Sequence, residues 1–184
     1  MKERTKANGA RAIAESERAE ERSALTRHTA AFGIDRRLAA ADILQELLVD
    51  TIDLSLQAKQ AHWNLRGPMF RDIHLLLDEL VEEAGVVADR LAERCLALGV
   101  AADGRLTTLA RNTHLEPFPG GRIADHQVVE LIGAGLQTVS EVGRSRLGQL
   151  GELDLVSQDL VIEVLDGIEK RLWLLEAHRP AETG

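Results

Sequence analysis

Five side chains able to hold a hard metal ion crowd into one short stretch: His62, His74, Asp78, Asp89 and Glu93. Imidazole and carboxylate without a thiolate cluster suit Fe(II), Mn(II) or Zn(II) better than a soft metal. One chain cannot bring all five to a single ion. If residues 71–98 are one helix rising about 1.5 Å per residue, Asp78 and Asp89 stand roughly 16 Å apart. Ligand bonds of about 2 Å do not bridge that gap. Either the chain carries two half-sites that do nothing alone, or two copies pack antiparallel and complete each other, which makes the protein an oligomer.

On a helix at 100° per residue with His74 at zero, Asp78 falls at about 40°, Asp89 at about 60° and Glu93 at about 100°. Leu77, Leu80, Val81, Ala84, Val87, Ala88, Leu91 and Cys95 occupy roughly 220° to 340°, so the metal candidates form a stripe beside the apolar face. Glu82 falls at about 80° on the same stripe, which therefore selects no ligand by itself. A solvated acidic helix face would look similar. His62 stands on the preceding helix, just before the Gly67-Pro68 break that can fold it back towards His74. Fewer ligands than two metals need would leave positions open for water, oxygen or peroxide, as redox chemistry requires and a closed structural site does not allow.

The elements that must position these residues are helical. The chain has 184 residues, enough for one domain with a substantial core, and its four prolines lie outside the long periodic stretches. Residues 1–34 are polar and read as a tail, with transient helix around 12–28. Asp35 reads as an N-cap, after which Leu44, Leu48, Ile52 and Leu56, with Leu47 beside them, make an apolar stripe to about Leu65. A second long helix covers about 71–98. The connection over 99–122 is predicted to hold a short helix near 106–112, and its length suggests a crossover. A third long helix, about 123–149, carries Val128, Ile132, Leu136 and Val139 on one side. Gly151 punctuates and Asp154 caps. A fourth long helix then runs to about His178 through Leu160, Val161, Leu165, Ile168, Leu172 and Leu175, leaving 179–184 as a short tail. No strand signal stands out. The fold class is all-α: a ferritin-like four-helix bundle with a short helix between helices 2 and 3.

A formal charge of −8 argues against non-specific nucleic-acid binding by the body of the molecule. The single cysteine excludes an internal disulfide framework and fits a reducing compartment. The N-terminus lacks the apolar segment of a secretory signal, and no uncharged stretch reaches membrane-spanning length. The expected location is the cytoplasm, with no membrane partner.

Residues 57–99, QAKQAHWNLRGPMFRDIHLLLDELVEEAGVVADRLAERCLALG, closely resemble the Dps family, the DNA-binding proteins from starved cells or miniferritins. The family pattern is a His followed by Trp-Asn and Gly-Pro. A second His follows twelve positions after the first, and an Asp four later. Asp and Glu then stand four apart in an A-x-R-L/I-A-E-R segment. His62, His74, Asp78, Asp89 and Glu93 match in type and spacing, and the four-helix plan extends the resemblance over about 35–178. The chain has no Glu-x-x-His, so a di-iron site inside a single bundle is not expected.

The resemblance implies a ferroxidase centre shared across a two-fold axis, with His62, His74 and Asp78 from one subunit and Asp89 and Glu93 from its neighbour. Glu93 would bridge two irons, the second held weakly. The implied activity is oxidation of Fe(II) to Fe(III), preferably by hydrogen peroxide, with ferric mineral stored in a hollow dodecamer as a defence against oxidative stress. Trp63 matches a family tryptophan that either packs at the site or donates an electron; it would otherwise seal the interface. Trp173 matches a family position expected to be packing. Asp154 and Asp159, with Glu152 nearby, match acidic positions at a three-fold pore for iron entry, although Asp154 serves equally as a helix cap.

Twelve copies at −8 carry about −96 and should repel phosphate, so DNA binding would need a projecting basic segment. Lys2, Arg4, Lys6 and Arg11 against Glu3 give residues 1–11 an excess of about three positive charges, which Glu15, Glu17, Glu20 and Glu21 then reverse. Twelve such tails would bind DNA weakly, non-specifically and in a salt-dependent way, placing the protein at the nucleoid. A nucleoid-associated structural DNA binder with incidental metal is the alternative, and a Zn(II)-filled helical assembly a third. His28, His114, His126 and His178 are expected to be structural or surface residues, and Cys95 an inert core thiol.

Overall fold

Leu44, Leu47, Leu54, Ala58 and Ala61 lie on the buried side of the first long helix, where they meet Leu77, Leu91, Ile132 and Leu136 from its neighbours. In this computed structural model, which describes residues 32–179, α1 runs Ile34–Asn64, β1 Leu65–Arg66 and α2 Phe70–Ala97. The short α3 is Leu106–Asn112, β2 Ile123–Ala124, α4 Asp125–Leu153 and α5 Leu155–Glu176. The expected tail helix, His28 and the basic tail residues lie outside the described residues. Helix α1 packs on α2 and α4, and α4 packs on α5, whereas α2 and α4 barely touch. The segment between them is therefore a crossover, as its length predicts. Among the described residues, no helix is long and apolar enough to cross a membrane.

The core divides into two clusters. One, around Leu54, Ile73, Leu77, Ile132, Leu136 and Ile168, lies at the end of the bundle that carries the His62–His74 turn. The other, around Leu44, Leu47, Leu91, Leu98, Leu150 and Leu165, fills the opposite end. Each fully buried leucine contributes about 1.5–3 kcal/mol relative to exposure. Cys95 sits in the second cluster, and burial pushes its thiol up to about 11, so it is an inert core residue.

Several local expectations are corrected. Asp35 is not the cap: Gly33 takes that position, with Asp35 in the first turn beside the positive helix end. Leu56 is half exposed rather than part of the stripe. Each four-residue step overshoots a full turn by about 40°, so after three steps from Leu44 the series has rotated off the core. The third long helix starts at Asp125 because Ile123 and Ala124 pair in parallel with Leu65 and Arg66, a two-residue ladder that no strand pattern announced. It also runs through Gly151 to Leu153. The missing side chain there makes room for Gln158, whose Nε2 lies 2.5 Å from where a Cβ would stand and donates to Leu147 O at 2.9 Å. Trp173 is 65% exposed in this chain, so it does not pack in the bundle interior.

Asp154 does cap α5, accepting from Ser157 N at 3.1 Å, a contact of a kind that contributes about 1 kcal/mol. Arg94 of α2 donates to the same carboxylate at 2.6 Å. Burial opposes the charge on Asp154, but the bonds from Arg94 and Ser157 outweigh it and hold the carboxyl below its usual range. The long connection is pinned by buried Asp50, which accepts from His114 N at 2.8 Å and from its Nδ1 at 2.9 Å. His178 Nδ1 donates to Leu174 O at 3.0 Å, a local helix-end contact.

Candidate metal centre

Helix α1 delivers His62 at its last turn, and α2 delivers His74 and Asp78 one and two turns from its start. Gly67 and Pro68 reverse the chain between them. At φ +146°, Gly67 adopts a backbone that other residues rarely take, and a Cβ there would lie 2.1 Å from Asp125 Oδ2. The reversal stacks the two imidazoles, with ring centres 3.7 Å apart and planes inclined by 20°. Phe70, one turn before His74, stacks on it at 4.9 Å.

Each histidine is oriented by the other's helix. His62 Nδ1 donates to His74 O at 3.1 Å, and His74 Nδ1 donates to His62 O at 3.2 Å. A carbonyl oxygen only accepts, so the hydrogen of each neutral ring is on Nδ1 and the lone pair on Nε2, ready for a metal. Asp78 completes the cluster, its Oδ1 lying 3.3 Å from His62 Nδ1. Among the described residues these three form the one group of histidines, cysteines and carboxylates placed to hold a metal, with donor atoms within 4.8 Å of one another.

Lys59, one turn before His62, donates from Nζ to Asp78 Oδ1 at 2.7 Å. That bond, opposed by desolvation and helped by the nearby His62, holds the Asp78 carboxyl below its usual range. The cluster therefore carries its own cation. Lys59 and Phe70 carry no ligand chemistry that would single them out in the sequence, although their spacings to His62 and His74 place them on shared helix faces.

Asp89 and Glu93 do not join this cluster. Both are exposed further along α2, as is Glu82. Trp63 is 68% exposed, and Leu56, Phe70 and Leu75 are also uncovered at this end of the chain. Asp159 and Glu152 are exposed near the start of α5, whereas Asp154 is buried against Arg94. Glu93 and Asp159 line one shallow depression together with Arg90, Arg94 and Val156.

The ferritin-like domain family matches residues 41–180. "DNA protection during starvation protein 2" of Deinococcus radiodurans is 34% identical over 147 residues, covering 80% of this chain, which spans 61% of that relative's length. "DNA protection during starvation protein" of Agrobacterium fabrum is 34% identical, with 74% of this chain and 85% of the relative aligned. Among solved structures, Dps from Microbacterium arborescens in its high iron form superposes with a TM-score of 0.76 at 34% identity, covering 82% of this chain and 97% of that one. The ferritin-like match over most of the chain and the Dps proteins on both the sequence and the structural side lead to one conclusion: this chain belongs to the Dps family of ferritin-like proteins.

Proposed function

We propose that this protein is a ferroxidase and iron store whose di-iron sites are shared between two-fold-related copies. The observation that carries the reading is the incomplete cluster: His62, His74 and Asp78 converge, and Asp89 and Glu93 of the same helix lie outside. A second, antiparallel copy would supply its own Asp89 and Glu93. Trp63, Leu56, Phe70 and Leu75, on the two helices that carry the cluster, are exposed apolar side chains that such a copy would bury. The high iron form of the Microbacterium neighbour supports iron as the metal.

In the proposed reaction two ferrous ions each give one electron to hydrogen peroxide. The O–O bond breaks, two protons are taken up, and two waters leave without a free hydroxyl radical. His62 and His74 bind through Nε2, and Asp78, Asp89 and Glu93 supply anionic oxygens that favour Fe(III) over Fe(II). Glu93 would bridge to the second, weaker iron. Ferric product would be stored in a hollow dodecamer. Asp154 and Asp159 stay as the proposed acidic entry, with Asp159 offering the exposed carboxylate and Arg94 offsetting the charge of Asp154. Fe(II) mixed with protein anaerobically and then given peroxide should oxidise rapidly at about two irons per peroxide, the electron balance above. Oxidation no faster than without protein would reject the activity.

A second reading is non-specific DNA binding, which the "DNA protection" in the relatives' names favours. The proposed contact is the basic segment with Lys2, Arg4, Lys6 and Arg11. Gel shifts of the full chain should weaken steeply with salt and disappear when residues 1–11 are removed. Undiminished binding by the shortened chain would exclude the tail.

A further inference from the structure

We propose that Asp125 is a positioning residue for the metal site, fixing from the head of α4 the turn that stacks His62 on His74. The proposal rests on His62, His74 and Asp78 being a metal half-site. Asp125 is buried, 4% exposed, and no part of the ligand chemistry described above uses it. Its Oδ2 accepts from Met69 N at 2.8 Å, and its Oδ1 from His126 N at 2.8 Å. Met69 is the residue from which α2 starts, immediately before the Phe70 that stacks on His74. The carboxylate also fills the space that the absent side chain of Gly67 leaves open.

The orientation of both ligands depends on this turn. The two reciprocal bonds between each imidazole and the other helix's carbonyl are 3.1 and 3.2 Å long. A displacement of α2 from α1 by about 0.5 Å in the direction of these bonds would stretch both beyond hydrogen-bond length and release the rings. Against such a slip the turn has a two-residue ladder from Leu65 and Arg66 to Ile123 and Ala124, and the bond from Phe70 N to Gly67 O at 3.1 Å. Asp125 adds a link from a third helix. Its two oxygens accept from Met69 N and His126 N, and without them the Met69 N–H loses this acceptor. It therefore acts on the metal through the backbone, touching neither ligand.

The test is Co(II) titration of the assembled full-length protein without oxidant, following the d–d absorption as well as the affinity. Wild type should bind, and D125A should bind about tenfold more weakly or worse, with an altered spectrum, as for removal of other residues that orient ligands. D125N retains one oxygen for Met69 N–H but turns an amide NH2, which cannot accept, towards His126 N–H, and should fall between them. D103A removes an aspartate whose carboxylate accepts four hydrogen bonds in the other connection and should match wild type. Wild-type affinity and spectrum in D125A, or equal losses in D125A and D103A, would overturn the proposal. If D125A does not assemble, wild-type behaviour of D125N overturns it. Absence of cobalt binding by wild type would instead sink the metal half-site itself, and this proposal with it.

Discussion

The Lys59 ammonium lies 2.7 Å from Asp78, the carboxylate that, among the described residues, is grouped with the two stacked histidines. A metal entering the cluster must displace that cation or share the carboxylate with it. K59M should therefore strengthen Zn(II) binding, measured calorimetrically without oxidant. The pair is substantially exposed, and exposed pairs are weak, so the expected gain is about two- to fivefold. Unchanged or weaker binding would show that Lys59 does not compete. The sequence identified His62, His74 and Asp78 because ligand chemistry and spacing are visible in one dimension. It did not identify Lys59, whose ammonium is not a ligand type, or Asp125, which reaches the turn from 56 residues away.

At the scale of elements, the four long helices were legible because Val128, Ile132, Leu136 and Val139, or Val161, Leu165, Ile168 and Leu175, repeat with the helical period and are buried. Their ends were less so. Gly151 reads as a break, yet Gln158 from the next helix occupies the space beside it; that contact is tertiary. The crossover was legible as a length, but not its anchors. Asp103 holds the start of α3 through Arg105 and Thr108, while Gln45 of α1 bonds its backbone N and O at 2.8 Å each. The Arg105 guanidinium, helped by Thr108 and opposed by partial burial, keeps the Asp103 carboxyl well below the usual carboxylate range. A carboxyl depressed in the folded state stabilises above its unfolded value of about 3.9, and that stability is lost as pH falls towards the folded value. The melting temperature should therefore drop as pH falls below about 4.5, and less steeply in D103N than in wild type. Parallel curves would remove Asp103 from the account.

At the scale of the whole molecule, the single chain is chemically unfinished. Among the described residues it groups His62, His74 and Asp78, the proposed ligands, while Asp89 and Glu93 stand exposed further along α2 and Trp63 is 68% exposed. Helix rise alone separates Asp78 from Asp89 by roughly 16 Å, a distance that no side-chain rotation closes. A partner is the simplest completion, and association would bury exposed apolar side chains such as Trp63. The sequence carried this argument because helix rise depends on nothing tertiary. How copies meet is not encoded in any single helix.

The most direct measurement is anomalous diffraction at the iron edge from crystals of the full-length protein soaked anaerobically in ferrous salt. The account predicts a peak about 2 Å from donor atoms of His62, His74 and Asp78 of one copy and of Asp89 or Glu93 of a second. Iron bound by residues of one copy alone, with His62 far from every other copy's Glu93, would contradict it.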